Sequence, residues 1–383
     1  MTDSRLVFTE GDAEKSLRWQ SEAGLQPPKR VVVADDTLSA DSAFRLASEG
    51  TALLWRSDFQ NARQLLQALV RRVDRKPRKP AATMRDAFNQ HRLAQSQRAR
   101  TLGMLLIPFD AGHIIPLRRA PDVVEACTQA HGEAREGYVC SLRELLGVIS
   151  AYEWRRNGVE VPALEARIHP HYGVFSPVRG EYVDLVAKAP LPAVLKKASR
   201  AFDIGTGTGV LAALLARRGV AKVVATDQDE RALACARDNV ARLGLGAQID
   251  VRAADLFPDG RAPLIVCNPP WLPARPASPL EHAVYDPDSR MLRGFLSGLA
   301  EHLGPDGEGW LILSDFAEHL GLRTADELQG WIDDAGLKVL GHLDARPRHP
   351  KASDESDPLH AARSQEVTRL WRLAAKSDTP LSR

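Results

Sequence analysis

The sequence predicts an α/β fold, with a mostly parallel sheet covered by helices on both faces in its C-terminal part and a smaller α/β unit before it. Three observations carry this expectation. Residues 201–210 (AFDIGTGTGV) read as a short strand, a glycine turn and the start of a helix. Beyond them, short apolar runs alternate with helical periodicities as far as residue 373, the pattern of parallel strands joined by crossover helices. Residues 266–271 (VCNPPW) end one of those runs on a stiff polar turn.

The chain has 383 residues, 44% of them hydrophobic, enough for two or three domains and a substantial core. A net charge of +2 points to no partner. Cys127, Cys140, Cys235 and Cys267 are scattered without a CxxC pair, which suits packing in a reducing compartment. The first fifteen residues are too charged for a signal peptide, and no apolar run approaches the roughly 18 residues of a membrane span. A soluble, cytoplasmic protein without a membrane partner is expected.

In chain order, residues 12–23 are expected to be helical, 30–34 (RVVVA) a strand, 39–48 a helix, 51–55 (TALLW) a strand and 59–73 a helix. Residues 71–100 carry ten Arg or Lys against Asp74 and Asp86. The run reads either as a phosphate-contacting arm and helix, or as a solvated linker followed by a polar helix face. Residues 102–108 and 113–117 are expected to form a hairpin, and 122–130 and 141–156 helices, the latter with Leu142, Leu145, Leu146, Ile149 and Tyr152 on one face. Residues 161–170, bounded by prolines, read as the connection between a domain over 1–160 and one over 161–383. His169 and His171 follow, with no Cys, Asp or Glu at ligand spacing, so no metal site is expected.

The glycine turn opens the second domain. Glycines let a backbone approach a ligand closely, and a helix amino end favours anions and polar groups. The spacing is G-x-G-x-G, with Asp203 two residues before Gly205, then Gly207 and Gly209. Val210 stands where the dinucleotide fingerprint needs its last glycine. NAD is therefore not the expected ligand. About 20 residues on, 222–226 (KVVAT) is a strand ending at Asp227, an acid placed to accept both ribose hydroxyl hydrogens. A helix (229–243), strands at 248–252 and 264–267, a helix (289–303), a strand (310–313), a helix (324–335) and strands at 338–343 and 367–373 complete the pattern.

Residues 203–209 (DIGTGTG) together with Asn268-Pro269-Pro270-Trp271 resemble the motifs of class I S-adenosylmethionine-dependent methyltransferases of the small-domain superfamily, over about residues 175–374. The resemblance implies a Rossmann-like seven-stranded methyltransferase sheet whose last two strands pair antiparallel, and S-adenosyl-L-methionine as cofactor. It implies cofactor contacts from Phe175, Arg179, Asp203, Gly205, Thr206, Gly207, Gly209, Asp227, Gln228, Asp255, Leu256 and Asn268, with Asp255 on the adenine amino group. The N-terminal layout is similar to that of ribosomal RNA guanine methyltransferases that pair an inactive half with an active one.

The NPPW turn suits transfer to a planar nitrogen, a poor nucleophile because its lone pair is delocalised. The Asn268 side-chain carbonyl and the Pro269 backbone carbonyl can each accept one N–H, aiming the lone pair at the methyl group. Trp271 offers a face for stacking, worth roughly 1–3 kcal/mol for an extruded base. The expected acceptor is a macromolecule: an RNA base amino group first, then a protein glutamine amide of the release-factor type, for which tyrosine is usual where Trp271 stands, then a DNA adenine. A cofactor-binding protein without catalysis is the non-enzymatic alternative. The loops at 272–290 and 346–363 are expected to select the substrate.

Overall fold

The computed structural model describes residues 4–75, 80–177, 180–276, 279–348 and 354–376. Lys76, Arg78 and Lys79 of the basic run lie outside them. The chain divides into two compact units, Met1–Ala81 with Asn89–Glu153, and Ala82–Phe88 with Trp154–Arg383.

The first unit holds β1 (Arg5–Glu10), β2 (Ala13–Trp19), β3 (Arg30–Ala34), α1 (Ala40–Ser48), β4 (Thr51–Trp55), α2 (Phe59–Asp74), most of α3 (Met84–Leu102), β5 (Leu105–Phe109), α4 (Val124–His131), β6 (Tyr138–Ser141) and most of α5 (Leu142–Asn157). Its sheet has the order β1-β2-β6-β5-β4-β3. Leu6, Phe8, Ala52, Leu54, Leu106 and Val139 form a core on it. Residues expected as a helix at 12–23 form β2 instead, paired antiparallel with β1. Gly11 takes φ +65°, which costs glycine nothing sterically, and so folds the chain straight back as a hairpin. The expected strand at 113–117 does not form. Residues 111–113 make a short 3-10 turn, and β5 pairs antiparallel with β6.

The second unit continues with β7 (Val159–Val161), β8 (Ala166–Ile168), α6 (Glu181–Lys188), β9 (Arg200–Ile204), α7 (Val210–Arg217), β10 (Lys222–Asp227), α8 (Glu230–Arg242), β11 (Ile249–Ala253), β12 (Ala262–Cys267), α9 (Arg290–His302), β13 (Leu303–Ser314), α10 (Phe316–His319), α11 (Ala325–Asp334), β14 (Leu337–Ala345), α12 (His360–Arg363) and β15 (Thr368–Ala375). The residues read as an inter-domain connection fold as the β7–β8 hairpin of this unit. The 346–363 loop, expected to be bare, carries α12, with Leu359 and Ala362 buried beside Phe316 and Leu320.

Seven strands run in the order β11-β10-β9-β12-β13-β15-β14. Contacts from β11 through β13 are parallel, and β15 is antiparallel to both β13 and β14. This is the seven-stranded Rossmann-like sheet that the resemblance implies, its last two strands paired antiparallel. The chain winds outward from β9 in one direction and from β12 in the other, so a crevice opens between their carboxyl ends. Buried side chains cover both faces: Leu264 and Val266 face one cluster with α6 and α7, Ile265 and Cys267 the other with α9 and α11.

Candidate active site

The pairing register places the motifs. Cys267 of β12 pairs with Ile204 of β9, and Thr226 of β10 pairs with the same Ile204. The glycine turn, Asp227 and Asn268 therefore all leave the sheet at the carboxyl ends of β9, β10 and β12, neighbouring strands roughly 4.8 Å apart. Asp227 pairs with Ala253 of β11, so Asp255 follows at the same end two residues later.

Gly205, Gly207 and Gly209 take φ of +70°, +54° and +80°, a left-handed run that side chains would resist. A Cβ on Gly205 would collide with Met291 Cε, whereas one on Gly207 meets nothing within 4 Å. The loop is thus closed on one side and open at Gly207, and no side chain of its own cap residue Gly209 covers the start of α7. That open cradle at a helix amino end, beside Asp227, fits a nucleoside-bearing cofactor.

Asp203 lies under the loop, 1% exposed. Its Oδ2 accepts the Thr206 hydroxyl at 2.7 Å and the Ala212 N–H at 2.9 Å. Burial pushes its pKa up to about 6, against the pull of those two hydrogen bonds, and the nearby Asp227 adds to the rise. It shapes the loop from below. Asp227 Oδ2 accepts the Gly207 N–H at 3.0 Å and Oδ1 the Asp229 N–H at 3.0 Å; burial raises its pKa too. Thr206 N–H donates to Thr226 O, and Thr226 Oγ1 to Leu256 O at 2.6 Å. Leu256 has φ +73°, a conformation a branched side chain adopts only when its surroundings impose it.

Gln228 and Asp255 are exposed, and Asp255 is paired with Arg290 at 2.7 Å. Phe175 is 37% exposed, next to Val174, which is packed on Ala232 and Cys235. Arg179 lies outside the described residues. Asn268 and Pro270 are half-buried and Pro269 buried. Trp271 Nε1 donates to Asn268 Oδ1 at 3.0 Å, while its ring packs against the clusters on both faces of the sheet. Among the described residues no group of three or more His, Cys, Asp or Glu could hold a metal ion, and none of the helices is long and apolar enough to cross a membrane.

One supporting residue, Asn239, escapes the sequence reading, and a second, Asp286, enters it only as part of the substrate-selecting loop at 272–290. Asn239, 1% exposed in α8, accepts the His169 N–H at 2.7 Å and donates to Thr208 O at 3.0 Å and His169 O at 3.3 Å. It ties the glycine turn to the segment before α6; an asparagine amid helical Ala, Val and Arg is the signal that could have found it. Asp286, 6% exposed, accepts the Met291 and Leu292 N–H groups at 3.0 and 3.1 Å. It thereby caps α9 and holds the returning loop, in which Leu272 bridges Tyr285.

Residues 165–325 match the methyltransferase small domain family. The release factor glutamine methyltransferase of Cereibacter sphaeroides is 35% identical over 164 residues, covering 38% of this chain and 56% of that protein. The tRNA1(Val) (adenine(37)-N6)-methyltransferase of Bacteroides thetaiotaomicron is 33% identical over 141 residues, 33% of this chain and 57% of that one. A ribosomal protein L11 methyltransferase of Symbiobacterium thermophilum is 47% identical over 72 residues, 18% and 23% of the two chains. The chain thus spans little more than half the length of the first two relatives and under a quarter of the third.

Proposed function

We propose that this chain, whose residues 165–325 match the methyltransferase small domain family, is an S-adenosylmethionine-dependent methyltransferase acting on a planar amino or amide nitrogen, with an RNA base amino group as its acceptor. The observation that carries the chemistry is the register pairing Cys267 with Ile204. It sets Asn268 and Pro269 beside the glycine cradle, within reach of one bound molecule. S-adenosylmethionine, when bound, supplies an electrophilic methyl group on a sulfonium.

The chain's own residues do the rest. Asp227 would accept the ribose hydroxyls, and the glycine turn, braced from below by Asp203, would hold the cofactor beside it. Asn268 Oδ1 and the Pro269 carbonyl take the two N–H groups of the acceptor and direct its lone pair at the methyl. With the cofactor bound, the methyl would pass to the nitrogen as its bond to the sulfonium breaks to leave a neutral thioether, and the proton the nitrogen then sheds would pass to solvent. No dedicated base is required.

RNA is favoured by the additional N-terminal unit and its basic helices, and the tRNA adenine methyltransferase likeness is consistent with it. The likeness to a release factor glutamine methyltransferase supports a second reading, a protein glutamine amide. The test is transfer of labelled methyl from S-adenosylmethionine into extract of cells lacking this chain, followed by nuclease or protease digestion. RNase-released label supports RNA; label released only by protease moves glutamine to first place. Asn268→Ala should lose transfer, and an Asn268→Ala variant with full transfer would refute the assignment.

A further inference from the structure

The Trp271 indole meets Asn268 at the atom the reaction needs. Its Nε1–H donates to Asn268 Oδ1 at 3.0 Å. An indole nitrogen only donates, whereas the two ends of an amide differ, one accepting and one donating. Turning the amide over would set its NH₂ against the indole N–H, two donors face to face. The contact therefore selects one orientation. The amide oxygen has two acceptor directions, and Trp271 occupies one of them, leaving the other for a single N–H.

The donor itself is held firmly. The ring is packed against the clusters on both faces of the sheet, so swinging it away would expose apolar surface on each. Between the amide and the indole stand Pro269 and Pro270, whose rings fix two consecutive φ angles. The pair is spaced by a backbone with little freedom.

We propose that Trp271 is a positioning residue: its indole N–H locks the Asn268 side chain with the oxygen available to one N–H of the acceptor nitrogen, while the Pro269 carbonyl takes the other. The proposal rests on the reading of Asn268 as the acceptor of a substrate N–H. A tyrosine hydroxyl at this position could both donate and accept and would impose no such orientation. The tryptophan thus does more than provide a stacking surface.

The test removes the hydrogen and keeps the ring. In the full chain, Trp271 alone is replaced by 3-benzothienylalanine, in which sulfur stands for the N–H, and in parallel by Phe. Labelled methyl transfer to total RNA and to protein extract from cells lacking this chain is measured at saturating S-adenosylmethionine. Losing one oriented acceptor should lower kcat about 10-fold or more, with the dissociation constant for S-adenosylmethionine unchanged. A benzothienylalanine variant that transfers at the wild-type rate overturns the proposal and leaves the ring a packing or stacking role. Asn268→Ala separates the two ideas: full transfer by that variant sinks the functional reading itself, while its inactivity beside a fully active benzothienylalanine variant sinks only the positioning role. A second readout needs no acceptor. The Trp271 indole proton should exchange with solvent about 10-fold faster or more in Asn268→Ala than in the wild type, and an unchanged exchange rate overturns the hydrogen bond on which the proposal stands.

Discussion

Asp203 takes the Thr206 hydroxyl and the Ala212 N–H on one and the same oxygen, Oδ2, and so shapes the glycine turn through a single buried atom. Its burial has a pH signature. The folded value is raised from 3.8 to about 6, with desolvation as the first cause. The folded chain therefore holds a proton on this group over a range in which the unfolded chain has lost it. The stability this confers is fully present below 3.8 and is lost as pH rises through about 6. The difference amounts to roughly 3 kcal/mol. Asp203→Asn keeps an oxygen able to accept both bonds and removes the titration. Its urea midpoint, compared with wild type, should shift in the variant's favour as pH rises from about 4 to about 7; a difference that stays flat over that window refutes the assignment. The same buried oxygen explains why the turn was readable in advance: residues 203–209 encode both the glycine conformations and the acid that braces them.

At the scale of elements, α9 shows how a loop and a helix are joined. Asp288 and Ser289 take φ of 55° and 53° just before it, and Ser289 makes no side-chain cap. The orphan N–H groups of Met291 and Leu292 turn instead to Asp286. Asp286→Ala should cost about 1–2 kcal/mol, as lost caps do, visible as a lower urea midpoint. Because Met291 stands against Gly205, weaker cofactor binding should accompany it; an unchanged midpoint would show that the cap contributes nothing. This cap illustrates which parts of the fold the residues announce. The elements from β9 to β13 were legible because apolar periodicity and the two motifs agree on them. The loop after Trp271 was not, since its order comes from Asp286, several residues from the amides it satisfies. β2 was misread because AEKSLRW, although paired with β1 and β6, buries none of its side chains fully, so its period is weak and only the Gly11 turn betrays it. β6 is four residues long and runs directly into α5, leaving too short a run for any periodicity. Asn239 carries its role through contacts with residues far away in sequence, and those are set by tertiary packing.

For the molecule as a whole, a net charge of +2 hides an uneven distribution. In the first unit α2 and α3 are rich in arginine, yet part of that charge is spent internally: Arg72 pairs with Asp41 and Arg98 with Asp74, each at 2.8 Å. Such exposed pairs add little stability, but they reduce the field available to a polyanion. Arg71, Arg75 and Arg100 are exposed and are better placed to meet phosphates than the paired arginines. The RNA reading makes these charges part of binding, because each neutralised phosphate releases counterions and steepens the salt dependence by about 0.7 for a single strand. Replacing Arg71, Arg75 and Arg100 together by Gln should therefore lower the slope of log affinity against log salt by about 2 when total RNA is the ligand, if all three contact phosphates. The three arginines belong to the first unit and the glycine turn to the second, so cofactor affinity should stay as it is. A slope that does not change would remove the basic helices from the recognition of RNA. It would also withdraw the main physical reason for ranking an RNA acceptor above a protein amide, since the NPPW geometry serves either nitrogen.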